Sequence, residues 1–444
     1  MCQVQILRQV CVVVVTYENG YEDMSRFFYF LRALLFRISE MSRILALRCA
    51  YAKTLRDVRR RVRGRKVRVL FPVNEISKWK LQSVYDLMAC SEKFEPIIAL
   101  TLADVDWRKS SAEQEEKMEV NEDFFLRRGM QIALAYDVRL RTVKRYSEFG
   151  ADIVFYNYPW VGVERQMPAS CAVSALTCYV PYFVLNYGDS TFDVLQEFHQ
   201  ELWRHFLLTE EWAESYGKRV HFWTHAGRLL GYGHPQLDYY YLRGDKFEDD
   251  NIVIYAPHWS INANGLQSMT AYSTFLDNAQ TMLDYAKKHQ EFKWVFKPHP
   301  NLRQILRESN AWTEDRIRDY WAEWEKIGTG CYTSDYPELF MKSKALITDC
   351  GSFLPEYFAT GKPLIHLISP NRKIKPAPAA KLYFDTFYQV HDEKELLEAL
   401  HRVLEQGDDY RRNERLAMLE RTGLRGNYAA KRIVDYLETE LRIA

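Results

Sequence analysis

Short apolar runs recur along this chain with helical patterns between them, and most are closed by Pro, Gly or a polar turn. The first set is "KVRVLFP" (Lys66–Pro72), "FEPIIALTL" (Phe94–Leu102), "ADIVFYNYP" (Ala151–Pro159) and "CYVPYFVLNY" (Cys178–Tyr187). The alternation restarts with "NIVIYAPHWS" (Asn251–Ser260), "KWVFKPHP" (Lys293–Pro300), "KALITDCGS" (Lys344–Ser352) and "KPLIHLI" (Lys362–Ile368). Strands apolar on both faces and separated by helices pair in parallel, under helices on either side. The spacing predicts helices over Trp79–Leu87, from about Val120 to Phe149, and over Thr191–Gly217, Thr274–His289, Leu302–Glu308 and Phe353–Thr360. Further helices fill the last part of the chain to near Leu441. No internal repeat interrupts the pattern.

A chain of 444 residues is too long for one ordinary core and suits two domains of roughly 150–200 residues each. The expected fold is α/β and GT-B-like, with two Rossmann-like parallel-sheet domains facing a cleft. Residues 1–65 read as a helical, basic N-terminal extension, 66–215 as the first Rossmann-like domain, and 216–444 as the second, with terminal helices. A net charge of +1 argues against a nucleic-acid binder, since polyanion binding needs a basic surface. Eight cysteines without a CxxC pair fit reduced thiols in a cytoplasmic protein, and no spacing suggests a metal cage. The apolar run Val10–Val15 is too short to span a bilayer and lacks the flanks of an export signal. Lys53–Lys66 holds eight Lys or Arg against one Asp. That stretch is either a helix peripheral to an anionic membrane or a solvated helix beside the first domain.

Ligands of open parallel sheets bind beyond the carboxyl ends of the strands. Three strands of the second set end in polar turns, which should therefore face one crevice: His258 and Ser260, then Lys297 and His299, then Thr348, Asp349, Gly351 and Ser352. Gly351 permits close backbone approach, and Ser352 opens a helix whose amide-rich start favours phosphate. Glu356, one turn on, is placed to accept from ribose hydroxyls; the alternative is an ordinary N-cap at Ser352 with Glu356 in solvent. Lys297 and His299 alternate along an extended strand end between stiffening prolines, which suits a cation and a proton donor beside a phosphate. All eleven histidines lie at His199 or later, so a base from the part of the first domain before that residue must be a carboxylate or a tyrosine. Glu75 is the best placed, with Asp104 and Asp106 behind it.

The blocks "GHPQLD" (Gly233–Asp238), "IYAPHWS", "FKPHP" and "LITDCGSFLPEYFATGKPLI" resemble, in order, the conserved blocks of the CDP-glycerol glycerophosphotransferase family. These are the teichoic-acid and capsule polymer transferases of GT-B fold. The resemblance runs over roughly Lys66 to Ile368. It implies that the second domain holds a CDP-linked donor, with Thr348, Gly351 and Ser352 at the phosphates, His299 and His258 beside the reacting diphosphate, and Asp349 shaping the turn. It further implies transfer of a glycerol-phosphate unit to a glycan or polyol-phosphate acceptor, with release of CMP. No tightly bound cofactor is expected beyond a Mg²⁺ riding on the diphosphate. The first-domain His-Gly pair of better-known members reads "NYGD" (Asn186–Asp189) here, and Cys350-Gly351 replaces their Tyr-Ser. Glu356 followed by "GKP" is also similar to nucleotide-sugar glycosyltransferases and UDP-sugar 2-epimerases. A glycosyltransferase using a nucleotide sugar is therefore the rival reading, and a nucleotide-binding scaffold in a capsule assembly the third.

Overall fold

A computed structural model describes residues 21–184, 196–217, 227–243, 250–263, 266–267, 271–330, 336–372, 375–424 and 428–443. The run Val10–Val15 and the "NYGD" segment lie outside the described residues. Seven parallel strands form the first sheet: β1 (Val67–Val73), β2 (Phe94–Leu100), β3 (Ile132–Leu134), β4 (Ile153–Tyr156), β5 (Leu176–Tyr179), β6 (Arg204–Leu207) and β7 (Leu229–Gly231), in the order β3-β2-β1-β4-β5-β6-β7. Six more form the second: β8 (Ile252–Ala256), β9 (Lys293–Phe296), β10 (Gly328–Gly330), β11 (Ser343–Thr348), β12 (Leu364–Leu367) and β13 (Tyr388–Val390), in the order β10-β9-β8-β11-β12-β13. Each sheet reverses direction beside its first strand, so each has one switch-point crevice, at β1/β4 and at β8/β11.

Local reasons for these elements are plain in the burial. Val253, Ile254, Tyr255 and Ala256 of β8 are all buried, as a central strand covered on both faces requires. In the helix Phe275–Lys288, the buried Phe275, Ala279, Met282, Leu283 and Ala286 follow the helical period. Asp277 stands in its first turn and Lys287 and Lys288 in its last, which complements the helix dipole.

Two expected helices differ. Between 120 and 149 the helix is Ser111–Leu126 and the chain then makes β3; within 191–217 two short helices, Gln196–Glu201 and Glu210–Gly217, flank β6. Strands of three or four residues carry too few side chains for a period-2 pattern, and the aromatic residues around β6 fit either period. The first sheet thus runs past residue 215 to β7. The chain also returns to it at the end: Ala430, Ile433, Val434 and Leu437 of the helix Ala429–Leu441 join the core that holds Val84 and Met88.

The "GHPQLD" block fastens that return. Asp238 accepts from the backbone amides of Ala429 and Ala430, each at 2.8 Å, and from Ser83 Oγ at 3.3 Å. One carboxylate thereby caps a helix from a distant segment and ties it to the first domain. The N-terminal helix Tyr21–Arg61 packs Tyr51 and Val58 into the same core. Part of the positive charge at and just beyond its end is structural, since Arg61 and Arg65 both pair with the buried Asp152.

Candidate active site

The three polar turns of the second sheet do converge, and hydrogen bonds fix how. The His258 amide donates to Asp349 Oδ1 at 2.5 Å, which joins the turns after β8 and β11 across the switch point. The His299 amide donates to the Pro257 carbonyl at 2.9 Å, and the His258 and His299 rings lie 5.2 Å apart, which joins the turn after β9.

Both imidazoles are held in one state. The Ser260 amide donates to His258 Nδ1 at 3.2 Å, with Ser260 Oγ 2.8 Å from the same nitrogen. The Asn301 amide donates to His299 Nδ1 at 3.1 Å. With Nδ1 accepting, each neutral ring carries its proton on Nε2 and offers that N–H as a donor. Burial pulls His258 down to about 3; burial and then the charge of Lys297 bring His299 to about 4. Without ligand, both are therefore neutral donors at neutral pH.

Lys297 follows β9 and is only 6% exposed. Its ammonium lies 5.0 Å from the centroid of the Tyr336 ring and 5.8 Å from that of Phe353. Ser352 is exposed and precedes the helix Phe353–Phe358, but its hydroxyl caps nothing; it sits 3.3 Å from Cys350 Sγ. The ordinary N-cap is thus absent, and the serine hydroxyl stands at the surface of the turn beside buried Gly351.

Thr348, Asp349 and Glu356 all turn inward. Thr348 is fully buried: its hydroxyl donates to the Ala256 carbonyl at 2.5 Å and accepts from the Cys350 amide at 2.9 Å. It locks β11 to β8 and does not reach a phosphate. Asp349 is 1% exposed and spends its oxygens on His258 and on the amide and hydroxyl of Thr274. It shapes the turn, although burial pushes its carboxyl up to about 6. Glu356 is 2% exposed and accepts from Gln236 at 2.6 Å, Tyr336 at 3.0 Å and Tyr240 at 3.3 Å. The ribose contact expected of it is therefore corrected. A residue one turn into a helix points back under the turn before it, here into the core. Burial raises its pKa, against the pull of Lys80 and Lys297.

On the first domain, Glu75 does stand just after β1 at the rim, but it is engaged. Its carboxylate takes Lys78 Nζ at 2.6 Å and the Ser77 hydroxyl. Burial favours the protonated form, yet those two partners outweigh it and hold the pKa below the usual carboxylate value. That makes Glu75 a weaker base than its position suggests. Asp106 has a fully buried side chain paired with Lys117 at 2.7 Å and Lys109 at 3.0 Å. The side chain of Asp104 lies outside the described residues. Beside Glu75 stand Tyr158, Trp160 and Tyr182, with mutual ring separations of 4.8–6.1 Å and Lys78 over Tyr158 at 4.3 Å.

Two cations at the cleft were not found by sequence reasoning. Arg372 follows β12, and its charge pulls on the Tyr272 phenol and on His366. Lys80 follows β1 and reaches Tyr336 of the other domain. A basic residue shortly after a strand was the available signal, but lysines are too common in loops for it to stand out.

Solved structures similar to this chain share its fold. The wall teichoic acid polymerase TagF aligns at a TM-score of 0.53 and 14% identity, covering 94% of this chain and 98% of its own. The UDP-GlcNAc 2-epimerase from Neisseria meningitidis bound to UDP-GlcNAc aligns at 0.52 and 14%, covering 84% and 100%. A putative UDP-N-acetylglucosamine 2-epimerase from Listeria monocytogenes aligns at 0.54 and 12%, covering 85% and 98%. No curated protein matches the chain in sequence. The family model described as CDP-Glycerol:Poly(glycerophosphate) glycerophosphotransferase matches residues 199–439, more than half of the chain and all of the second sheet. With two GT-B-like sheets and three polar turns gathered at one crevice, this transferase belongs to the CDP-glycerol:poly(glycerophosphate) glycerophosphotransferase family.

Proposed function

We propose that the rim of the second sheet binds the diphosphate of CDP-glycerol, and that an acceptor hydroxyl attacks the β-phosphorus in line as CMP leaves. The single observation carrying this reading is the pair His258 and His299, 5.2 Å apart with both Nδ1 atoms engaged. Two Nε2–H donors aimed from rigid turns suit the oxygens on which negative charge builds during phosphoryl transfer. Lys297 supplies positive charge, His299 donates to the leaving phosphate, and Gly351 and Ser352 meet the phosphates through the backbone and the exposed hydroxyl. Asp349 and Thr348 hold this arrangement without touching the ligand. No tightly bound cofactor enters the reading; a Mg²⁺ would arrive on the diphosphate itself. A similar solved structure is that of TagF soaked with CDPG, which agrees with such a donor.

The acceptor in this reading is a teichoic-acid or capsule-type glycan or polyol phosphate, met by Glu75 and the aromatic residues Tyr158, Trp160 and Tyr182. The enzyme would work in the cytoplasm against the inner face of the membrane. The N-terminal helix supports that contact. Leu31, Leu35, Ile38 and Leu45 are exposed along it, and Lys53, Arg56, Arg60 and Arg63 line a groove with Arg442. Among the described residues, no helix is long and apolar enough to cross a bilayer. Pelleting with phosphatidylglycerol vesicles but not with phosphatidylcholine vesicles is expected; equal recovery with both removes the contact.

The donor reading is tested by incubating the protein and a polyol-phosphate acceptor with CDP-glycerol or with a panel of nucleotide sugars. CMP released only from CDP-glycerol is the expected result. Release of nucleoside diphosphate from a nucleotide sugar would make the protein a glycosyltransferase instead.

A further inference from the structure

The loop after β1 carries a lysine across the cleft. Its base is pinned to the first sheet: the Lys80 amide donates to Asn157 Oδ1 at 2.9 Å, and Asn157 Nδ2 donates to the Val180 carbonyl at 2.8 Å. The side chain then leaves its own domain, bringing the ammonium 5.5 Å from the centroid of the Tyr336 ring. Lys297 lies 5.0 Å from the same centroid. One lysine from each domain therefore addresses one aromatic ring, and the two ammonium groups can be no further apart than those distances laid end to end.

Beneath that ring is Glu356, which accepts from the Tyr336 hydroxyl at 3.0 Å. Its charge acts on both lysines, but its oxygens are already occupied by Tyr336, Tyr240 and Gln236. Among the described residues, the Lys80 ammonium has no hydrogen bond and no ion pair. Burial lowers its pKa, and Glu356 only partly restores it. A half-buried ammonium without a hydrogen-bonding partner carries positive charge that an anionic ligand can meet.

Resting on the donor reading above, we propose that Lys80 is a second phosphate-binding cation of the donor site. The first domain contributes it, so that the donor diphosphate bridges Lys80 and Lys297 across the Tyr336 ring. Coming from the acceptor side, Lys80 meets the β-phosphoryl group, the one that is transferred, while the α-phosphate stays with the second domain. The ligand class is a nucleoside diphosphate ester.

The test uses the full chain carrying Lys80→Met, which keeps the aliphatic packing on Tyr336 and removes the charge, and Lys80→Arg, which restores it. Dissociation constants for CDP-glycerol and for CMP are measured by calorimetry, with turnover alongside. Lys80→Met is expected to weaken CDP-glycerol at least tenfold, to leave CMP within twofold and to lower turnover at least tenfold. Lys80→Arg should return to within about threefold of the parent protein, the range expected when a positive charge is kept but its geometry changes. Unchanged CDP-glycerol binding and turnover in Lys80→Met would overturn the proposal. So would equal weakening of CMP and CDP-glycerol, which would mean a damaged fold. If the parent protein binds UDP or GDP esters but not CDP-glycerol, the donor reading fails by itself. The same comparison on the nucleotide that binds then decides the role of Lys80. No binding of any nucleoside diphosphate ester overturns both.

Discussion

At the carboxyl ends of the second sheet stand two neutral histidines with engaged Nδ1 atoms, a nearly buried lysine and an exposed serine. At the same ends of the first sheet, Glu75 is tied to Lys78, Asp106 is locked between two lysines, and Tyr158, Trp160 and Tyr182 present ring faces. Both rims rest on one topology, so topology did not make them different. The second is wired in advance to meet developing negative charge. The first offers ring faces and a carboxylate already quenched, which suits holding an acceptor more than activating it. In the proposed reading the barrier is lowered mainly from the donor side, by charge neutralisation and positioning.

Substitutions can break that contrast. The largest effect is expected from Asp349→Ala. It strips the partner from the buried amides of His258 and Thr274, each worth about 1–3 kcal/mol when left unsatisfied. Turnover should fall more than a hundredfold together with a lower melting temperature; an unchanged melting curve would mean the turns hold without it. His299→Ala should lower turnover at least tenfold, about 1.4 kcal/mol of barrier, while the melting temperature stays nearly constant. Wild-type turnover would remove His299 from the chemistry.

A proton-uptake experiment sharpens the same comparison. Burial and Lys297 hold His299 near a pKa of about 4 in the free protein, and an anionic diphosphate pushes that value upward, with Nδ1 releasing the Asn301 amide to take the proton. Between the free and bound values, binding takes up a proton, so CDP-glycerol affinity should rise as pH falls from 8 toward 6. Calorimetry in two buffers of different ionisation enthalpy reads the uptake directly; none would mean that His299 stays neutral throughout. The smallest effect belongs to the other rim. Glu75→Gln should change turnover by less than about threefold, because a carboxylate held below its usual pKa is a poor base. A loss of a hundredfold would restore Glu75 as the general base and erase the contrast.

Legibility followed side-chain periodicity. The long buried strands and the helices Leu302–Glu308 and Phe275–Lys288 were readable, because enough side chains repeat to fix a face. β3, β6, β7, β10 and β13 were not, since strands this short derive their identity from neighbours in the sheet. The three turns were legible as a group because each follows a recognisable strand. Which members of each turn look outward was not. Thr348, Asp349 and Glu356 carry the polar groups expected of ligand contacts, yet they are consumed by the backbone and by buried partners.

The alternation of strands with helices, the restart at residue 251 and the gathering of polar turns behind neighbouring strands follow from the chain alone, because hydrophobic periodicity and turn chemistry are local properties. The tertiary structure alone decided that Asp238 caps a helix almost two hundred residues away, that Glu75 is neutralised by Lys78, and that Lys80 crosses to Tyr336. Each of these depends on which charges lose their water together, and that is set only when distant segments pack.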